Sequence, residues 1–161
     1  MSRSVTVGLE ALDDAAFAPF GQVLESPGEG NRLDQAAQVA NLREQTKINV
    51  CVVRASPASF PLTVTDLERH PFSSQTFFPL RAGRYLVMVA PGMDADTPDI
   101  SQLQAFIVHG HQGVNYMAGT WHHPLATIGA AGEFGVLMWE DGGPRDTDWW
   151  KVPEVVTLTL E

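Results

Sequence analysis

Four of the chain's five histidines lie between His109 and Pro124, in a stretch that reads HGHQGVNYMAGTWHHP. Imidazole exchanges protons near neutral pH and binds divalent metals. The same stretch holds Asn115, Tyr116 and Trp121, which can line a polar cavity. Its glycines at 110, 113 and 119 permit tight turns or a close backbone approach to a small molecule. Two uses compete: a site for proton transfer or ligation, or a hairpin whose histidines are merely solvated or hydrogen-bonded.

The remaining histidine, His70, follows Glu68 by two residues, and Gln75 comes five residues later. Residues i and i+2 of a strand face one side, so Glu68 and His70 point together. Two imidazoles and a carboxylate suit a divalent metal. A plainer reading makes Glu68-Arg69 a solvated pair at a strand end. The spacing resembles the first of two cupin motifs, with Gly83 near its closing glycine. Met117 to His122 resembles the second, with Met117 in place of a proline. Relative to that pattern Glu68 replaces a histidine and neutral Gln75 replaces a carboxylate. The expectation is that Glu68, His70, Gln75 and His122 converge inside a barrel as a candidate metal site. A regular strand would turn His123 away from His122. His109 and His111 share a parity and read as loop residues.

These side chains need strands to hold them. Short apolar runs punctuated by Gly and Pro predict strands over 4–9, 22–25, 48–54, 60–67, 75–80, 84–90, 101–108, 113–117, 123–128, 134–139 and 155–160. The first reads as an edge strand. Residues 84–90 are almost wholly apolar, so both faces should be buried. Leu12 to Phe17 predicts a short helix starting near Asp13. Residues 32–45 have no clear period. Strands at regular spacing indicate an antiparallel sandwich or barrel, all-β with minor α, in one domain spanning 1–161. Trp149 and Trp150 suggest a dimer contact or packing over a barrel mouth, while Trp121, Phe77 and Phe78 read as core or cavity wall.

Composition narrows the function. The 161 residues carry a formal charge of -9, which argues against a nucleic-acid partner because phosphates call for a basic face. No apolar run reaches the ~20 residues of a membrane helix, no leader peptide is visible, and dinucleotide and P-loop signatures are missing. The lone Cys51 excludes an internal disulfide and reads as a buried thiol. A cytoplasmic setting is expected.

Read in order, the segments Arg54-Ala55-Ser56-Pro57, Leu67-Glu68-Arg69-His70-Pro71, Gln75-Thr76-Phe77-Phe78-Pro79-Leu80, Pro98-Asp99-Ile100-Ser101, Ala105-Phe106-Ile107, Gln112-Gly113-Val114-Asn115-Tyr116 and Gly119-Thr120-Trp121-His122-His123-Pro124-Leu125 resemble the ureidoglycolate lyase family. The likeness covers roughly 50–139. The segments Asn31 to Asp34, Asn41 to Arg43 and Met138 to Asp141 depart from the family pattern. The resemblance implies a cupin-like homodimer, a carbon–nitrogen lyase that splits ureidoglycolate into glyoxylate and urea in allantoin and purine breakdown. It also implies a divalent metal, nickel or zinc, with a metal-free site left open. His70, His122 and Glu68 are the candidates for catalysis or ligation. Gln75, Asn115, Tyr116 and Trp121 are the candidates for substrate contact. The rival readings are a non-enzymatic cupin that binds a small organic acid, and another cupin enzyme, such as an isomerase or metal-dependent hydrolase, acting on a different ureido or hydroxy acid.

Overall fold

The computed structural model describes residues 4–160. Its strands are β1 (Ser4–Ala11), β2 (Gly21–Leu24), β3 (Lys47–Ala55), β4 (Leu62–Arg69), β5 (Gln75–Arg81), β6 (Arg84–Ala90), β7 (Gln104–His109), β8 (Gly113–Tyr116), β9 (Trp121–His122), β10 (Ala126–Ile128), β11 (Gly132–Glu140) and β12 (Asp148–Thr159). One short helix, α1 (Asp14–Phe17), starts where the Asp13 carboxylate accepts hydrogen bonds from the Ala15 and Ala16 amides.

Seven strands pair in the order β10-β6-β7-β1-β12-β4-β9, and β9 pairs again with β6. That second pairing closes β6, β7, β1, β12, β4 and β9 into a six-stranded barrel. The other sheet is open, in the order β2-β8-β5-β11-β3. The chain therefore forms the all-β, cupin-like barrel architecture expected from its strand pattern and resemblance.

Alternation along β6 divides the core in two. Leu86, Met88 and Ala90 join Trp121, Leu67, Val156 and Leu158 inside the barrel. Tyr85, Val87 and Val89 face the other way and join Phe77, Val114, Phe134 and Val136 of the open sheet. Both faces of β6 are thus buried, as its apolar run predicts. Burying one such side chain contributes about 1.5–3 kcal/mol, so the two layers share stability through this strand.

Several elements differ from expectation. β1 is not an edge strand: it pairs in parallel with β12 along Ser4–Gly8 and with β7 along Leu9–Ala11. Its alternating Val5, Val7 and Leu9 pack against the barrel core, which needs neighbours on both sides. β12 begins at Asp148, well before 155, because Trp150 and Val152 also pack into that core while Trp149 points outward at 59% exposure. The strand expected over 101–108 starts only at Gln104, because residues 100–102 form a 3-10 turn capped by the Asp99 carboxylate. The strand expected over 123–128 is confined to β10 at its C-terminal end, and the separate short β9 precedes it.

Candidate active site

Glu68 lies opposite His122 in the β4–β9 ladder, and His122 lies opposite Val89 of β6. Paired residues share a face, and Val89 belongs to the layer between the barrel and the open sheet. The site is therefore on the barrel's outer wall, facing the open sheet, and not within the closed barrel as expected. β4 ends at Arg69, so His70 follows the strand directly. Gln75 arrives from the open sheet, at the start of β5.

One ligand atom each from Glu68, His70 and His122 lie within 4.8 Å of one another. His122 Nε2 is 3.3 Å from Glu68 Oε1, and the two imidazole centroids are 5.4 Å apart. Both rings are held from behind. His122 Nδ1 is 2.8 Å from the Thr120 carbonyl, and His70 Nδ1 is 3.1 Å from the Asp146 carbonyl. A carbonyl only accepts, so each Nδ1 carries the hydrogen. In the neutral rings Nε2 is then a bare lone pair. His70 Nε2, His122 Nε2 and Gln75 Oε1 are buried without hydrogen-bond partners. These lone pairs gather around a carboxylate, an arrangement that a proton or a cation stabilises.

Local packing fixes the rings. Tyr116 of β8 stacks on His122 with centroids 4.2 Å apart and 11° between planes. Thr120 supplies the carbonyl behind His122 because the chain turns at Gly119, whose φ of +82° suits a residue without a side chain. Behind His70, the Asp146 carboxylate accepts from Arg43 Nη2 at 2.6 Å and from the Gly142 amide at 2.7 Å. The two side chains of that ion pair are 8% and 9% exposed.

The electrostatics follow from burial and contact. Burial pushes the Glu68 carboxyl up, but its close contact and charge interaction with His122, helped by His70, outweigh this and hold it below the ordinary glutamate value. Burial, reinforced by His122, holds His70 below the ordinary histidine value. Burial pushes the Tyr116 phenol well up, so it stays neutral. An ionised carboxylate thus faces a neutral imidazole across the cluster.

A cavity of about 360 Å³ adjoins the cluster. Glu68, His70 and Gln75 line it at one side, and Cys51, Phe77, Val136 and Met138 form an apolar wall. The structure brings together Glu68, His70, Gln75 and His122, with Tyr116 behind them. Two expected substrate contacts lie elsewhere. Asn115 is fully buried and its amide is committed to Thr76, Gln22 and the Gln38 carbonyl, so it ties β8 to its neighbours. Trp121 points into the barrel core beneath the Arg69 guanidinium. His109 and His111 stack on each other outside the cavity. His123 is separate from the cluster, and its Nδ1 is 2.7 Å from the Pro124 carbonyl.

The sequence reading missed Glu140, which lines the same cavity, and Asp146, which carries the carbonyl behind His70. Glu140 continues the parity of Phe134, Val136 and Met138, and that signal was available. Asp146 had none, since its part depends on a loop contact.

The ureidoglycolate lyase family model matches residues 4–158. A ureidoglycolate lyase of Burkholderia mallei is 37% identical, with 96% of this chain and 94% of that protein covered. One of Azotobacter vinelandii is 38% identical over 86% of this chain and 88% of its own length. Among solved structures, a dTDP sugar isomerase of Desulfovibrio desulfuricans aligns with a TM-score of 0.47 and 12% identity, covering 84% of this chain and 83% of that one.

Proposed function

The chain belongs to the ureidoglycolate lyase family, and on that premise we propose that it eliminates urea from ureidoglycolate to leave glyoxylate. The observation that carries this reading is the Glu68–His122 contact at the edge of a cavity sized for a small acid. The substrate is a carbinol-urea. A base takes the hydroxyl proton, the electron pair of that O–H bond forms the carbonyl, the C–N bond breaks, and the leaving nitrogen takes up a proton. Glu68 is held ionised and is suited to accept the first proton. His122, in contact with it, is suited to relay that proton to the departing nitrogen. His70 stays neutral and presents Nε2 to the substrate's oxygens or to a metal. Gln75 provides an uncharged partner for the ureido group or the carboxylate.

The donor set also fits a divalent cation, nickel or zinc. Glu68, His70 and His122 would hold it, with the Gln75 oxygen beside them, and the Nδ1–H groups of the two histidines are already oriented by backbone carbonyls. When bound, the cation would supply positive charge to the substrate's carboxylate and hydroxyl oxygens. The need for such charge is plain, because the lining residues include two carboxylates, Glu68 and Glu140, and Arg54 pairs with Glu133.

The reading extends to a homodimer, a cytoplasmic setting and a place in allantoin and purine breakdown. The outer face of the open sheet exposes Ile48, Val50, Val52, Phe78 and Leu80, and β3 is an unpaired edge. A second copy of the chain would cover both. The free Cys51 fits a reducing compartment. No helix among the described residues is long and apolar enough to cross a membrane.

The test is to incubate pure protein with ureidoglycolate and measure glyoxylate and urea against an enzyme-free control. It is run as purified, after chelation, and after adding nickel or zinc. Equimolar products above the control are expected. Saturable binding without products would overturn the lyase reading in favour of a non-enzymatic binder.

A further inference from the structure

Away from the His–Glu cluster, the inward parity of β11 faces the same interior layer at the end of the open sheet. Along β11, Phe134, Val136, Met138 and Glu140 share one parity, and the first two belong to the buried layer. In register, Gln75 pairs with Met138 and Met138 with Asn49, while Glu140 pairs with Lys47 one inward row further on. One such row is about 7 Å along the sheet, within reach of a short acid seated at Gln75. Glu140 is half-buried and lines the cavity that Glu68, His70 and Gln75 line. Asn49 Nδ2 donates to Glu140 Oε1 at 2.5 Å, which orients the carboxylate. Oε2 makes no hydrogen bond among the described residues.

A second carboxylate in a cavity that takes an anion is costly unless it recognises something. It repels the substrate's carboxylate and attracts N–H donors. The urea end of ureidoglycolate carries parallel N–H groups, the complement of a carboxylate's two oxygens. Resting on the proposed lyase reading, we infer that Glu140, held by Asn49, binds the ureido end of the substrate and thereby sets its orientation. The carboxylate end then lies toward His70 and His122. Glu140 is a specificity residue in this assignment and takes no part in proton transfer.

The test compares Glu140→Gln with the wild type using two dead-end ligands. Ureidoacetate keeps the ureido group and the carboxylate but lacks the hydroxyl that must be deprotonated. Glycolate keeps the carboxylate and the hydroxyl but lacks the ureido group. Hydrogen bonds to a charged group contribute about 1.5–3 kcal/mol, or roughly 10- to 150-fold. Titration calorimetry should therefore show ureidoacetate binding weakened at least ~10-fold, with glycolate binding and thermal midpoint little changed. Unchanged ureidoacetate binding, or equal weakening of both ligands, would overturn the assignment. If Glu140→Gln does not fold, Glu140→Asp, which withdraws the carboxylate, is read in the same way. These measurements need no turnover. A wild type that fails to make glyoxylate and urea would overturn the lyase reading, whereas the ligand pair tests Glu140.

Discussion

Replacing Asp146 by alanine should destabilise the protein through Arg43. Both side chains are at least nine-tenths buried, and the Arg43 Nη2 to Asp146 Oδ1 distance is 2.6 Å. The same carboxylate also accepts from the Asp141 and Gly142 amides. Removing one partner of a buried ion pair typically costs about 3–5 kcal/mol, because the other charge is left uncompensated. Here Asp141 still stands 3.4 Å from Arg43 Nη1, though half-exposed. That residual contact puts the expected loss near the lower end, about 3 kcal/mol. At ~2–4 °C per kcal/mol for a chain of this size, the melting temperature should fall by roughly 6–12 °C. Urea unfolding of Asp146→Ala, Arg43→Ala and the double variant gives the coupling energy directly. The double variant should lose clearly less than the sum of the singles. A loss below about 1 kcal/mol for Asp146→Ala, or strict additivity, would refute the reasoning: the pair would then behave like a surface contact.

His122→Ala should lower turnover at least ~10²-fold, as expected when a proton-transfer group is removed; steady-state kinetics at wild-type activity would show the histidine to be structural. Acid should destabilise the chelated protein below about pH 6.5. His70 and His123 are held below the ordinary histidine value chiefly by burial, so in this range the unfolded chain binds protons that the folded chain refuses. Glu68, also held low, adds stability above its unfolded value that is lost at still lower pH. Urea unfolding between pH 8 and 5 should show the slope, and His123→Gln should flatten it; no slope in the wild type would contradict the burial argument. Val52, 70% exposed on β3, should tolerate Glu in the fold, yet Val52→Glu should turn a species of twice 17.5 kDa into one of 17.5 kDa in light scattering. A wild type already monomeric at micromolar concentration would remove the dimer from the reading.

Local pattern carried much of this structure. The apolar run of β6 and the period-two placing of Glu68 and His70 both follow from side-chain alternation. The position of β1 did not, since Val5, Val7 and Leu9 mark a half-buried strand without naming neighbours some 100 to 150 positions away. Residues 32–45 gave no period because side chains and turns hold that segment: Thr46 donates to Asn41 and Arg43 reaches Asp146. Asn115 misled by its chemistry. An amide suits a ureido ligand, but only the fold reveals that Thr76 and Gln22 already occupy it.

The barrel closes on a very short seam. β9 meets β4 at one residue pair, Glu68 with His122, and meets β6 at two, Val89 with His122 and Ala90 with Trp121. The residues proposed to do the chemistry are thus also the clasp of the cylinder. A ligand gripped by Glu68 and His122 would act as a rivet across the joint, and by mass action it would stabilise the whole barrel. Conversely, fraying at that joint would disarm the site before the rest of the molecule opened. Melting-temperature shifts should therefore be an unusually direct gauge of occupancy in this protein, and the β9 amides the first to exchange with solvent when the site is empty.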